Sequence, residues 1–190
     1  MIASFLRSQD GRKFSYVEVG SSRGIPPAGY TVDHSRVRLG HGPDDFARAA
    51  ASLRQWRMFA LGWLELFWPD TPIQVGSTVA VLVRTLGVWS LNACRIVYVF
   101  EDDAPIRSYG FAYGTLPEHA EQGEERFSIE WDQSDDSVWY DILAFSRPRH
   151  WLLRAGLGYR YGRRLQKRFS RDSMSAMVAA VRGQTPAPAL

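Results

Sequence analysis

The spacing of hydrophobic and polar positions divides the chain into two kinds of segment. Between Pro43 and Leu64, apolar residues recur every three or four positions, which predicts a helix with one apolar face. Pro43 suits the first turn of this helix, and Asp44 and Asp45 favour its positive N-terminal end. From Thr78 onward the period changes to two, which is typical of half-buried strands.

The alternating region predicts five antiparallel strands joined by hairpins. Polar or proline-containing breaks separate most of the segments, as hairpin turns require. The candidate strands are Thr78–Thr85, Trp89–Glu101, Arg107–Thr115, Glu125–Asp132 and Ser137–Phe145. Two shorter segments nearer the N-terminus, Phe14–Val19 and Val37–Leu39, are further strand candidates.

A second helical region follows the strands. Pro148 is expected to end the sheet and to open a helix that runs to about Val181, bent or broken early by Gly156, Gly158 and Gly162. Residues 183–190 contain two prolines and predict a disordered tail. We therefore expect a single α+β domain over residues 1–182, in which a curved antiparallel sheet wraps around a long C-terminal helix. This helix-grip arrangement, as in START-like and Bet v 1-like proteins, leaves a cavity between sheet and helix.

Composition narrows the class of protein. Hydrophobic residues make up 45% of the 190 residues and charged residues 23%, which is typical of a globular domain and not of a disordered chain. Cys94 is the only cysteine, so an internal disulfide and a Cys/His zinc cluster are excluded. The first 30 residues lack the apolar core of a signal peptide, and no segment is long and apolar enough for a membrane span. We therefore expect a cytoplasmic protein, and no cofactor is indicated.

Strand parity identifies candidate ligand-binding residues. Glu125 shares its strand face with Phe127, and Arg95 shares its face with Val97, so both charges are predicted to point toward an apolar interior. Because burying either charge alone is costly, we expect Arg95 and Glu125 to pair with one another or with neighbours. Such a pair would either fix the register of the sheet or serve as a polar anchor inside a pocket. The candidate walls of that pocket are Trp89, Tyr109, Phe111, Tyr113, Trp131 and Tyr140.

The turn near His119 suggests an alternative, acid–base chemistry. His119 lies a few residues before Glu124 and Glu125, so His119 with either carboxylate could serve as acid and base on a bound substrate. His119 and Glu124 are the catalytic candidates on this hypothesis. The spacing of the acidic residues around His119 matches no zinc or calcium pattern, so no metal site is predicted.

A basic segment lies near the C-terminus. Nine Arg or Lys residues and no Asp or Glu lie between Arg147 and Arg171. This pattern is typical of a helix whose arginines face water, and it is also compatible with a surface that binds nucleic acid or an anionic membrane.

Several short motifs resemble uncharacterised protein family 0548, a domain family of bacteria and plants. The resemblance spans about Phe14 to Val181. The matching text is Gly29-Tyr30, Gly40–Gly42, Trp56, Gly62-Trp63, Cys94–Val97, Gly110–Pro117, Gly123–Phe127, Phe145–Pro148 and Gln166. Where relatives tend to read Gly-His-Pro, this chain reads Glu118-His119-Ala120, which alters the turn. The resemblance implies a single-domain protein and a common role for Arg95, His119, Glu124 and Glu125, without supplying an activity or a cofactor.

The sequence leaves three functions open. The first is a non-enzymatic binding protein that holds a small apolar or amphipathic molecule between the sheet and the C-terminal helix. The second is an enzyme that uses His119 with Glu124 or Glu125. The third is a module that binds nucleic acid or an anionic membrane surface through the basic segment Arg147–Arg171.

Overall fold

The structure, a computed structural model, describes residues 2–68, 70–85, 87–149 and 156–184. Its helices are α1 (Ile2–Ser8), α2 (Gly42–Arg54) and α3 (Gly156–Val181), with 3-10 turns at Ser21–Arg23 and Arg57–Phe59. Its strands are β1 (Thr31–His41), β2 (Leu64–Phe67), β3 (Thr78–Thr85), β4 (Val88–Asp102), β5 (Ile106–Thr115), β6 (Glu121–Asp132) and β7 (Ser137–Pro148).

The strands of the described chain form one antiparallel sheet in the order β1-β7-β6-β5-β4-β3-β2. Strands β2 to β7 follow one another as a meander, and β1 pairs with the last strand of that meander. Helices α2 and α3 pack against each other, and both contact β1 and β7 on the inner face of the sheet. The predicted α+β architecture, a curved antiparallel sheet that grips a long C-terminal helix, is therefore confirmed.

An aromatic cluster forms the centre of the core between the sheet and the helices. The ring of Phe127 on β6 lies 5.3 to 6.3 Å, centroid to centroid, from four other aromatic rings. These neighbours are Phe59, Phe111, Tyr113 and Phe169. The cluster thereby joins β5 and β6 to the 3-10 turn at Arg57–Phe59 and to α3.

The first long helix is shorter than its periodicity indicates. It ends at Arg54 instead of Leu64, because Trp56 adopts a left-handed backbone conformation with φ of 57°. The Trp56 ring packs on Phe111 at 5.1 Å, and its indole N–H donates to the carbonyl of Thr71 at 3.1 Å. Tertiary packing of this ring therefore replaces the last turns of the expected helix by a 3-10 turn and the short strand β2.

Other boundaries also differ from the sequence prediction. The predicted strand Phe14–Val19 is wrong, since these residues form bends that cross the outer face of the sheet. The segment Val37–Leu39 belongs to the longer strand β1, and β7 continues through Pro148. Helix α3 passes Gly158 and Gly162 without a break. The predicted helix start at Pro148 is wrong, since Pro148 belongs to β7. Residues 150–155, which precede α3, and residues 185–190 of the predicted tail lie outside the described residues.

Candidate functional site

A cavity of about 200 Å³ lies between the inner face of the sheet and the middle of α3. Most of its walls are apolar, because strand alternation turns one side chain in two inward and α3 presents its apolar stripe. The apolar lining includes Phe59, Trp63, Leu64, Val81, Val83, Cys94, Leu165 and Phe169. Polar residues line the cavity as well, among them Glu125, Tyr113, Gln166, His119 and Asn92.

Glu125 is a carboxyl group buried at this cavity. Only 8% of its surface is exposed. The Tyr113 hydroxyl donates to its Oε2 at 2.7 Å, and the Gln166 amide donates to its Oε1 at 3.1 Å. None of the ion pairs among the described residues includes Glu125. The carboxyl group is therefore held by neutral donors alone.

Burial raises the pKa of Glu125 to about 7, because the apolar surroundings disfavour the charged form. The hydrogen bonds from Tyr113 and Gln166 act in the opposite direction, since both stabilise the carboxylate. The nearby acids Glu121 and Asp33 also raise the pKa of Glu125, because a second negative charge disfavours its ionisation. Glu125 is therefore partly protonated near neutral pH.

This pKa shift predicts a pH-dependent stability. The pKa of Glu125 rises from 4.5 to about 7 on folding. The favourable contribution of protonated Glu125 to the free energy of unfolding is therefore complete below pH 4.5 and is lost as the pH rises through 7. Relative to a Glu125→Gln variant, the wild-type free energy of unfolding should fall by about 3 kcal/mol between pH 4.5 and pH 8. Urea unfolding across this range measures the difference.

The matched control for this experiment is Glu118→Gln, which changes an exposed acid in the turn before β6. Its stability should follow that of the wild type at every pH. If the free energies of unfolding of the wild type and Glu125→Gln changed in parallel with pH, the pKa of Glu125 would be the same in the folded and the unfolded chain.

His119 lines the same cavity from the turn between β5 and β6. Its Nδ1 accepts a hydrogen bond from the Glu121 backbone N–H at 3.0 Å, so the proton of the neutral ring lies on Nε2. Burial lowers the pKa of His119 to about 4, because it disfavours the charged imidazolium. At neutral pH His119 therefore offers an N–H donor and neither a positive charge nor a free basic nitrogen.

The carboxylate of Glu124 lies on the opposite face of the sheet, since neighbouring strand residues point to opposite sides. It accepts hydrogen bonds from the Tyr16 hydroxyl at 2.6 Å and from the backbone N–H groups of Gly20 and Ser22 at 2.7 and 3.0 Å. The Ser22 hydroxyl donates to it as well. Glu124 thus fastens the N-terminal arm, residues 9–24, to the sheet. The predicted catalytic pair of His119 with Glu124 does not form.

Arg95 also lies on the outer face, which corrects the prediction that it points inward. A bulge interrupts the pairing of β4 with β5 between Ile96 and Tyr98. The regular alternation of inward and outward side chains breaks at this bulge, so Arg95 points to the face opposite the one predicted from Val97. The guanidinium donates to the carbonyl oxygens of Gln9 and Arg12, both at 2.6 Å. Arg95 therefore holds the N-terminal arm and does not pair with Glu125.

Arg95→Ala is accordingly expected to loosen the N-terminal arm and to leave the cavity unchanged. The loss of the two hydrogen bonds to the arm and of one to the Thr78 hydroxyl should lower the free energy of unfolding by about 2 kcal/mol. Limited proteolysis should cut the arm faster than in the wild type. The control Arg160→Ala removes an exposed guanidinium on α3 and should change neither property. Unchanged proteolysis of Arg95→Ala would refute this role.

Only Tyr113 among the six predicted aromatic walls lines the cavity. Tyr109, Phe111 and Tyr140 are buried elsewhere in the core, where the Tyr140 hydroxyl bonds Ser173 at 2.9 Å. Trp131 packs near Phe46. Trp89 lies on the outer face, 62% exposed, with the Arg84 guanidinium 4.5 Å from its ring centre. These five residues therefore surround no common space.

Many cations of the basic segment have partners within the chain. Arg163 forms an ion pair with Asp33, and Arg168 and Arg171 both pair with Asp172. Arg147 donates to Gln122 and stacks on the ring of Tyr30. The other cations of the described part of the segment are Arg149, Arg160, Arg164 and Lys167, and all four are exposed. Among the described residues the segment therefore does not show one continuous basic surface, and Arg154 lies outside them.

The described residues contain no group of three or more His, Cys, Asp or Glu side chains placed to hold a metal ion. Their helices include none with the length and hydropathy needed to span a membrane.

Sequence reasoning missed several cavity residues. Phe59 and Trp63 fall in the region predicted as helix, and Gln166 had no assigned role. For Gln166 the spacing of apolar residues was the available signal, because Leu165 and Phe169 mark the apolar stripe of α3 and Gln166 directly follows Leu165.

The helix-grip arrangement of a curved antiparallel sheet around a long C-terminal helix is shared with proteins of known structure. The crystal structure of Ara h 8.0201 superposes with a TM-score of 0.52 at 11% identity, covering 82% of this chain and 100% of that chain. The crystal structure of TTHA0849 from Thermus thermophilus superposes with a TM-score of 0.53 at 10% identity, covering 80% of this chain and 98% of that chain. At these identities the similarity establishes the fold alone.

The chain belongs to the UPF0548 family. The family model described as "Domain of unknown function (DUF1990)" matches residues 15–176. A UPF0548 protein of Dictyostelium discoideum is 41% identical over 160 residues, which cover 80% of this chain and 73% of the relative. UPF0548 proteins of Arabidopsis thaliana and Deinococcus radiodurans are 34% and 39% identical, covering 83% and 77% of this chain and 76% and 77% of the relatives.

Proposed function

We propose that this protein is a non-enzymatic binding protein that holds a small apolar or amphipathic molecule in the cavity between sheet and α3. The observation that carries the proposal is the position of Glu125, a buried carboxyl group at a cavity with mainly apolar walls. A purely structural core gains nothing from a carboxyl group there, because its burial without a cation costs several kcal/mol. A ligand-binding cavity uses such a group to orient its ligand.

The volume of the cavity limits the size of the ligand. A dry cavity of about 150 Å³ holds benzene. The cavity of about 200 Å³ therefore suits a molecule with roughly ten non-hydrogen atoms. Phe59, Trp63, Tyr113 and Phe169 are among the aromatic residues that line it, and such rings favour a flat or apolar body.

The two other functional hypotheses have less support. An acid–base enzyme would rely on Glu125 alone, since Glu124 faces away and His119 offers only an N–H donor. Cys94 lines the cavity, but burial raises the pKa of its thiol well above the usual range, so it is no nucleophile at neutral pH. A module for anionic partners would rely on the few cations whose side chains have no acidic partner among the described residues.

Native mass spectrometry of the protein, purified gently from its own host, tests the proposal. The native mass of the wild type should exceed its denatured mass by that of a small molecule. Leu165→Trp should carry no extra mass, because the larger ring fills the cavity from α3. Tyr161→Trp is the matched control, since it places the same indole at an exposed position of the same helix. A bare wild-type mass, or an extra mass retained by Leu165→Trp, would contradict the proposal.

A further inference from the structure

We propose that the cavity selects a ligand that carries a basic nitrogen, which pairs with the carboxylate of Glu125 while the apolar body of the ligand fills the remaining space. The inference rests on the proposed function and specifies the chemical class of the ligand. It divides the amphipathic molecules considered above into cations, which the site accepts, and anions, which it rejects.

The charge of the lining supports this selection. Among the described residues that line the cavity none is Lys or Arg, whereas Glu121, Glu124 and Glu125 all belong to it. Glu124 is turned to the outer face, so two carboxyl groups remain on the inner side. The Glu121 Oε1 lies against α3, 3.3 Å from the place where a Cβ on Gly162 would stand. A cavity with this lining attracts cations and repels carboxylate or phosphate ligands.

The hydrogen bonds of Glu125 leave room for such a cation. Its two protein partners, Tyr113 and Gln166, each donate one hydrogen bond to a different oxygen. A carboxylate offers about four acceptor positions, so each oxygen keeps capacity for another donor. An ammonium or amidinium group would add a charge-assisted hydrogen bond, which is about twice as strong as a neutral one.

The described residues supply no cation at this position. Arg95, which sequence parity predicted to point inward like Glu125, is bonded to Gln9 and Arg12 on the outer face. Arg163 on α3 forms a bidentate ion pair with Asp33, with one N–O distance of 2.6 Å. Because no cation within the described ranges pairs with Glu125, a bound ligand can supply the positive charge.

The walls are also suited to a cation. Phe59, Trp63, Tyr113 and Phe169 contribute aromatic rings to the lining. The face of an aromatic ring attracts a cation within about 6 Å of its centre, most strongly where water is excluded. A basic nitrogen on a small apolar body would thus meet a carboxylate and aromatic rings in one cavity.

Calorimetric titration with three probes of similar size tests the inference: benzylamine, benzyl alcohol and benzoate. At pH 8, wild-type protein should bind benzylamine about tenfold or more tightly than benzyl alcohol, and benzoate should not bind. In Glu125→Gln the preference for benzylamine should disappear while benzyl alcohol still binds. Near pH 7, benzylamine should displace protons from wild-type Glu125, so the binding enthalpy should depend on the ionisation enthalpy of the buffer.

The outcomes separate the inference from the proposed function. If benzyl alcohol binds wild-type protein as tightly as benzylamine, the cavity binds small molecules but the selection for basic nitrogen is refuted. If none of the three probes binds, the proposed function fails and the inference fails with it. The buffer dependence requires only wild-type protein, so a buffer-independent enthalpy of benzylamine binding near pH 7 would overturn the inference even if Glu125→Gln does not fold.

Discussion

Phe127→Ala should lower the free energy of unfolding by about 4 kcal/mol, as expected when a fully buried ring is removed from a packed core. Phe127 has no exposed surface and contacts the rings of Phe59, Phe111 and Phe169. Alanine would leave an empty space at the point where the sheet, the turn after α2 and α3 meet. Urea unfolding, followed by tryptophan fluorescence, measures the loss.

Trp89→Ala is the control for this substitution. It removes a larger ring, but one that is 62% exposed on the outer face and stacked on Arg84. Its loss should stay below about 1 kcal/mol, since exposed substitutions change stability little. If the two variants lost equal stability, the aromatic cluster would not be the centre of the core.

Glu124→Ala should lower the free energy of unfolding by a similar amount, about 4 kcal/mol, because buried hydrogen-bond donors lose their acceptor. Only 2% of Glu124 is exposed, and its carboxylate accepts hydrogen bonds from Tyr16, Gly20 and Ser22. Without it, these buried donors lose their partner, and each unsatisfied donor costs about 1 to 3 kcal/mol. The N-terminal arm should detach from the sheet, and proteolysis within residues 9–24 should become much faster.

Glu118→Ala provides the comparison, because Glu118 is an exposed acid of the same hairpin. Its free energy of unfolding and its resistance to proteolysis should equal those of the wild type. A Glu124→Ala variant with an intact, protease-resistant arm would show that the hydrogen bonds of Glu124 do not hold the arm in place.

The strands of the meander could be predicted because apolar and polar residues alternate within each of them. Thr78–Thr85 was predicted with both of its ends, and the other four segments differ at one or both ends. The helix at Pro43 was predicted too long, since the apolar residues after Arg54 remain buried without a helical backbone. Periodicity reports which residues are buried, and the turn at Trp56 depends on packing against Phe111, which lies far away in sequence.

In the candidate site, alternation predicts the orientation of a side chain only where the strand pairing is regular. The inward orientation of Glu125 follows from alternation with Phe127, because the pairing of β6 is regular there. The same reasoning misplaced Arg95, because the bulge in β4 is a property of its pairing with β5 and not of its own sequence. The cavity itself was assigned to the wrong aromatic residues, since Phe59, Trp63 and Gln166 come from three separate elements.

An NMR titration of methyl-labelled protein with benzyl alcohol tests most directly whether the cavity is a binding site. The methyl signals of Val81, Val83 and Leu165, which line the cavity, should shift in a saturable manner. The methyl signals of Val17 and Ile25, exposed on the N-terminal arm and directly after it, should not move. In Leu165→Trp the shifts at Val81 and Val83 should be lost. Saturable shifts elsewhere, or none at the cavity, would contradict the assignment of this cavity as the binding site.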